Sequence, residues 1–507
     1  MPRRHIRVTG APEAPLRAAL TALRKRLGAP AAFPLAVLAE AERVAKTPSL
    51  PSYDATDIPF LTLDPPARRP PPPFQRVAAR PPLYSTDLDQ ALHLSRQGAG
   101  YRVRYAIADV AAFVVPGGRL DVEAHSRVNT LYFPDGKVPL HPAVLSEGAA
   151  SLLPGHDRPA ALWTVDLDAD GRTVAVDVRR ALVRSRAKLD YAGVQQQIDA
   201  GTAEEPIQLI SVVGKLREGL EAERGGISLD VPEQEVVEHD DSYELTYRAP
   251  LPAEGWNAQL SLLTGMAAAD LMLASGTGVL RTLPAAPGGA VGRLRRTAHA
   301  LHIDWPHHVS YAQLIRSLDP HDHRHAAFLQ ECTSLLRGAG YTVFRDGSLP
   351  AITTHAAVAA PYAHCTAPLR RLADRHATEL CLAAVAGHAP PDWVLAVLDA
   401  LPKEMAEGGR RANAVERGCV DIVEAALLKD RVGEVFDGYV VDVDEHRPTV
   451  GTVQLESPAV IGRVDSGDGG ESGEGGEGGT PLPLGERLRV RLKEADPTAP
   501  TIRFAPA

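Results

Sequence analysis

Aromatic residues are scarce in this chain, 5% of 507 residues, so any stacking against bases would fall to a few individual rings. Cysteine is scarcer still, at Cys332, Cys365, Cys381 and Cys419. No two of these stand in a CxxC spacing, and nothing reads as a secretory context. A disulfide framework or a cysteine zinc site is therefore not expected, and reduced thiols in a cytoplasmic protein are. Long apolar runs are missing: none approaches ~20 residues, so no membrane-spanning helix and no membrane partner are expected. The basic start, Met1-Pro2-Arg3-Arg4-His5, is not followed by the apolar core of a signal peptide. An excess of positive charge is missing too, with 54 Lys and Arg against 63 Asp and Glu and a formal charge of −9. That excludes electrostatic coating of nucleic acid over the whole surface, while a local basic channel stays open.

What is present is a globular composition, 44% hydrophobic and 23% charged. The length exceeds one core, and about three domains are expected. In residues 1–55, Leu16, Leu20, Leu23 and Leu27 recur at helical spacing, Gly28-Ala29-Pro30 ends that run, and a second helical pattern covers 33–46. This reads as a small helical module of helix-turn-helix type, or as an appendage packed on the next domain. Residues 56–430 carry strands early and helices later. Residues 431–507 carry short alternating strands that suit a small closed barrel of OB-fold type. Within them 466–480, rich in Gly, Glu and Ser, reads as a flexible insertion. The fold class expected is α+β multidomain.

The most informative stretch is Leu83-Tyr84-Ser85-Thr86-Asp87-Leu88-Asp89-Gln90-Ala91-Leu92. Asp87 and Asp89 alternate, and on a strand alternate side chains share a face. Two carboxylates so placed repel unless a cation lies between them, and a hard divalent ion such as Mg²⁺ suits oxygen ligands. The competing reading is an ordinary acidic turn before a strand. The cluster His321, His323 and His325 could bind zinc, but loop histidines at this density read as solvent-exposed.

Further segments extend the pattern: LTLD ending at Asp64, STDLDQAL over 85–92, YAIADVAAFV over 105–114, NTLYFPDGKVPLHP over 129–142, YAHCTAPLRRLAD over 362–374 and AVER over 414–417. As an ordered series they resemble the ribonuclease II / ribonuclease R family and its RNB catalytic domain. The resemblance implies a 3′→5′ exoribonuclease that degrades single-stranded RNA processively to nucleoside 5′-monophosphates with Mg²⁺, Mn²⁺ being an alternative ion. It implies a monomer with no DNA partner. Asp64, Asp87 and Asp89 would hold metal or activate water, Asp89 and Arg370 would be catalytic, Tyr132 would stack on the terminal base, and Glu416 would help hold the terminal nucleotide. These residue types suit phosphodiester hydrolysis, in which charge grows on phosphoryl oxygens. Asp109, Asp121 and Asp374 are expected to be structural.

Three departures stand out. Gln90 replaces the last acid of the family core; its amide oxygen is still expected to face the metal, without charge. Gln259 and Gly265 stand where the family has a glutamate and an asparagine. The N-terminal segment is too short for the tandem cold-shock barrels common in the family. The alternative to an active enzyme is a catalytically weak RNA-binding protein of the same fold.

Overall fold

The computed structural model describes residues 7–8, 14–30, 32–64, 86–239, 242–336, 338–444, 446–458, 460–467, 480–499 and 501–507. Ser85, the proline-rich stretch before it and most of the 466–480 insertion lie outside these residues.

Two closed five-stranded barrels frame the chain. The first contains β2 (Phe60–Asp64), β3 (Gln90–Gln97), β4 (Gly100–Ala108), β7 (Asp157–Leu167) and β8 (Thr173–Asp190), joined in the order β2-β3-β4-β7-β8. It closes because β2 runs parallel to β8, Asp64 opposite Asp190. Alternation feeds two clusters. Ala91, Ala106, Ala160, Leu162 and Ala181 join Phe60 and the helix α2 (Leu35–Lys46). Leu92, Leu94, Tyr105, Trp163 and Val165 join the helical layer. Between the barrel strands come α3 (Arg119–Arg127) and a hairpin of β5 (Leu131–Phe133) and β6 (Gly136–Val138). A small sheet elsewhere is built from β1 (Arg7–Val8), β9 (Glu233–His239) and β10 (Ser242–Arg248).

The helical layer includes α4 (Tyr191–Asp199), α5 (Glu205–Glu223) and α6 (Pro252–Ser275). The helix α6 is predominantly apolar, and Trp256, Leu260, Leu263, Ala267, Ala268 and Met272 are buried in the main core. Its 24 residues are long and apolar enough to cross a bilayer by composition, contrary to the expectation that no such run exists. Burial against strands and helices accounts for that apolarity. Two-stranded pairs β11 (Gly278–Thr282) with β12 (Gly340–Phe344), and β13 (Thr354–His355) with β14 (Ala360–Pro361), enclose α7 (Gly288–Ala300), α8 (Tyr311–Ser317) and α9 (His323–Cys332). The chain continues through α10 (Leu372–Ala386), α11 (Asp392–Leu398) and the long α12 (Leu401–Leu428). The second barrel follows as β15 (Val435–Val443), β16 (Val450–Leu455), β17 (Ile461–Asp465), β18 (Arg487–Asp496) and β19 (Thr501–Pro506), ordered β15-β16-β17-β19-β18.

The two N-terminal helices dock on different parts of this body. In α1 (Ala14–Arg26), Leu16, Ala19, Leu20 and Leu23 pack with Val415, Cys419, Val420 and Val423 of α12. Gly418 permits that approach, because a Cβ there would lie 2.7 Å from Leu23. The α2 residues Val37, Ala41 and Val44 instead share a core with the first barrel. The four cysteines are free and buried.

Candidate active site

Asp87, Leu88 and Asp89 lie just ahead of β3, which begins at Gln90. Leu88 is buried in the barrel core, while its amide donates to the Ser151 hydroxyl and its carbonyl accepts from the Leu152 amide.

Asp89 is buried, 4% exposed. Its Oδ1 accepts from the Leu369 amide at 2.8 Å and its Oδ2 from Arg370 Nε at 2.7 Å. Burial pushes its carboxyl up to about 6; Arg370 and the Leu369 amide pull it down, and Asp87 pushes it up further. Burial also opposes the charge on Arg370, but Asp89, Tyr132 and Asp87 outweigh it and hold the guanidinium firmly protonated. Arg370 engages Asp89 through Nε, so its terminal nitrogens are not spent on that carboxylate. The turn carrying Arg370 is itself fixed by Asp374, which accepts from the Ala367 amide and from Arg371.

Residues 128–130 zip onto this turn. The Thr130 amide donates to the Arg370 carbonyl and the Leu372 amide to Val128. The β5–β6 hairpin springs from that ladder, which brings Tyr132 beside Arg370, Asp87 and Asp89, close enough for each charge to act on its phenol. In the hairpin register Tyr132 lies opposite Lys137, and cross-strand partners share a face. Lys137 Nζ lies 2.9 Å from Asp87 Oδ1 and 2.9 Å from Glu147 Oε1. Burial opposes its charge, but the two carboxylates raise its pKa. Glu147, on a short helical turn after the hairpin, also accepts from Thr86. Arg24 of α1 forks onto Asp135 at the hairpin tip, Nη1 to Oδ2 at 3.0 Å, and lies 4.1 Å from the Phe133 ring centroid.

Asp64 ends β2. Its Oδ2 is 3.3 Å from Lys188 Nζ but is buried with no hydrogen-bond partner. Tyr191 senses both Asp64 and Arg370, and its hydroxyl accepts from Asn257 of α6. Each of the three expected acids thus faces a basic side chain: Asp64 Lys188, Asp87 Lys137, Asp89 Arg370. Among the described residues there is no group of three or more His, Cys, Asp or Glu placed to hold a metal.

The placement of Gln90 corrects an expectation. Its Oε1 accepts from the Tyr105 hydroxyl at 2.5 Å and its Nε2 donates to the Thr366 carbonyl at 2.6 Å. Within β3 Gln90 lies on the side of Leu92 and Leu94, and the two ends of its amide are engaged by Tyr105 of β4 and by the Thr366 segment ahead of α10. Gly265 is equally committed: a Cβ there would meet Tyr362 at 2.2 Å. Glu416 is half-buried on α12, near Cys419, whose thiol also senses Arg24 and Asp135. Asp109 and Asp121 serve ion pairs with Arg180 and Arg375. His325 accepts from the Asp319 amide, and Asp322 caps α9.

Sequence reasoning missed Lys137, Glu147, Tyr191 and Asn257. For Lys137 a signal existed: a tight turn at Pro134-Asp135 sets it opposite Tyr132. The others are gathered by tertiary packing.

The sequence profile of the RNB domain matches residues 81–386. The chain belongs to the RNB-domain family. In this RNB protein a second profile, the RNase II-type exonuclease C-terminal S1 domain, matches residues 434–507, the second barrel. The chain is 27% identical over 436 residues to Ribonuclease R of Escherichia coli, covering 79% of this chain and 50% of that one. It is 26% identical over 408 residues to Ribonuclease R of Aquifex aeolicus, covering 71% and 53%. It thus spans about half the length of these relatives. The apo form of Mycoplasma genitalium RNase R superimposes with a TM-score of 0.79 at 18% identity, over 97% of this chain and 78% of that one. Yeast Ssd1, a pseudonuclease, superimposes with a TM-score of 0.61 at 14% identity, over 82% of this chain and 50% of that one. The fold is therefore shared by nucleases and a non-nuclease alike, and the site has to carry the argument about chemistry.

Proposed function

We propose that this RNB protein is a 3′→5′ exoribonuclease that hydrolyses single-stranded RNA to nucleoside 5′-monophosphates. The observation that carries the reading is the buried Asp89–Arg370 pair, set beside Tyr132 in the segments that match the family. Hydrolysis forms a bond from water oxygen to phosphorus and breaks the bond from phosphorus to O3′. One proton leaves the water and one arrives at the departing O3′. Arg370 offers its terminal nitrogens to the phosphoryl oxygens, where negative charge grows. Asp89 fixes the plane of that guanidinium and, with a carboxyl near 6, is ionised at neutral pH and suited to take a proton from water. Tyr132 stacks on the terminal base without demanding a sequence. Glu416 is assigned to the terminal nucleotide on the resemblance alone.

A divalent ion suits this donor set at one place: the buried Oδ2 of Asp64, which accepts no hydrogen bond and faces only the Lys188 ammonium at 3.3 Å, is a hard oxygen ligand. Asp64, with Asp89, would hold the ion, Mg²⁺ or Mn²⁺. When bound, it stabilises phosphoryl charge and acidifies water. Gln90 is reassigned from ligand to positioning residue, locking the start of β3 to the Thr366 segment. Action in the cytoplasm as a monomer belongs to the same reading.

The test is incubation of the purified chain with 5′-labelled single-stranded RNA and Mg²⁺. Conversion to a short labelled end product with release of nucleoside 5′-monophosphates is expected. Tight binding with the RNA left intact would make it an RNA-binding protein and overturn the reading, as would turnover of small nucleotides with indifference to RNA. A DNA strand of the same sequence is expected to survive.

A further inference from the structure

We propose that Lys137 is a built-in cation of the active site, occupying the place on Asp87 that a second divalent ion would take. The inference rests on the exoribonuclease reading of the same site.

Three observations support it. First, one ammonium is held by two carboxylates from different parts of the chain, Asp87 Oδ1 and Glu147 Oε1, each at 2.9 Å. Two hard oxygens converging on one positive centre is the pattern of cation ligation, with the ion tethered to the backbone. Second, the hairpin register places Lys137 opposite Tyr132. The ammonium is thus delivered to the side of the site where Tyr132 would hold the terminal nucleotide, beside Arg370. Third, the charges balance. Asp87, Asp89 and Glu147 supply three negative charges, and Lys137 and Arg370 two positive ones, which leaves one. A neutral Gln90, with its amide tied to Tyr105 and Thr366, adds nothing to that sum. Asp64 and its partner Lys188 cancel, and the one residual charge suits one divalent ion and not two.

Chemically, an ammonium next to the scissile phosphate donates hydrogen bonds to a phosphoryl oxygen and neutralises part of its charge. It does not acidify water as a metal does, so it takes over the charge-stabilising part of an ion's work and leaves water activation to the other position.

The test is Mn²⁺ titration of the RNA-free chain by calorimetry, comparing wild type, Lys137→Met and Lys137→Arg. Removing the ammonium takes the cation off Asp87 Oδ1, so Lys137→Met is expected to bind Mn²⁺ at least tenfold more tightly than wild type, or to take up additional Mn²⁺. Lys137→Arg keeps the charge and is expected to bind as wild type does. Should Lys137→Met fail to fold, Lys137→Gln retains a polar bridge to Glu147 and carries the same expectation. A folded charge-removed variant with wild-type Mn²⁺ binding would overturn the proposal, as would Lys137→Arg behaving like Lys137→Met. Because the readout uses no RNA, its failure leaves the exoribonuclease reading standing. A wild-type chain that leaves RNA intact would sink that reading instead, without disturbing the Mn²⁺ comparison.

Discussion

Replacing Asp89 with Asn separates the roles of this carboxylate. The new amide can still present an oxygen to the Leu369 amide, 2.8 Å away in the wild type. Its nitrogen then faces Arg370 Nε, donor against donor, and the guanidinium loses the partner that fixes its plane. Loss of one oriented donor to a phosphoryl oxygen costs about 10²–10³-fold in rate, and losing the proton acceptor in the same step adds to it. Stability responds differently. A carboxyl raised from 3.8 to about 6 reflects roughly 3 kcal/mol that the folded chain gives up by keeping it ionised. The sign follows from proton uptake: between these values the folded chain binds the proton and the unfolded chain does not. The cost is absent below pH 3.8, grows as pH rises and is complete above about 6. Asp89→Asn removes it but leaves Arg370 without its counter-charge, so the melting temperature near pH 7 is expected to stay close to wild type. RNA affinity, set by phosphate contacts and stacking, is expected to stay within a few-fold. The assay pairs single-turnover cleavage of 5′-labelled RNA with filter binding of the same strand. An Asp89→Asn variant cleaving within threefold of wild type would refute the assignment.

Gln90→Asp shortens the side chain by one methylene and removes its N–H donor, so the Thr366 carbonyl and the Tyr105 hydroxyl both lose their partner. A melting temperature lowered by the equivalent of ~1–3 kcal/mol is expected, with the half-saturating Mg²⁺ concentration of cleavage unchanged; a marked tightening of Mg²⁺ activation would restore Gln90 to the metal. Tyr132→Ala should weaken binding of an RNA 3′ end by about 1–3 kcal/mol, and Tyr132→Phe, which keeps the ring, should not. Equal losses in the two variants, measured by competition binding, would assign the hydroxyl and not the ring.

Much of this was legible in the chain because it is local. The apolar alternation that follows Asp89 appears as β3, and the Arg370 turn follows the proline motif that announced it. The strands of the second barrel were readable from their alternation, except Thr501–Pro506, too near a run of Pro and Thr to stand out. The first barrel was hidden, because its closure depends on β2 meeting β8 in parallel across more than a hundred residues, and no periodicity encodes that. The orientation of Gln90 was misjudged for a related reason. Its chemistry matched a ligand, but Tyr105 and Thr366, distant in the chain, hold both ends of its amide. Lys137 and Glu147 escaped notice because their significance lies in a shared neighbour, Asp87, fifty and sixty positions back in the chain.

The fork from Arg24 to Asp135, between residues 111 apart, ties the first helix to the tip of the Tyr132 hairpin. That helix is seated on α12, whose other neighbours include the second barrel. A tug on either end of the protein is therefore transmitted to the ring that would clasp the last nucleotide, much as a distant tendon sets the grip of a finger.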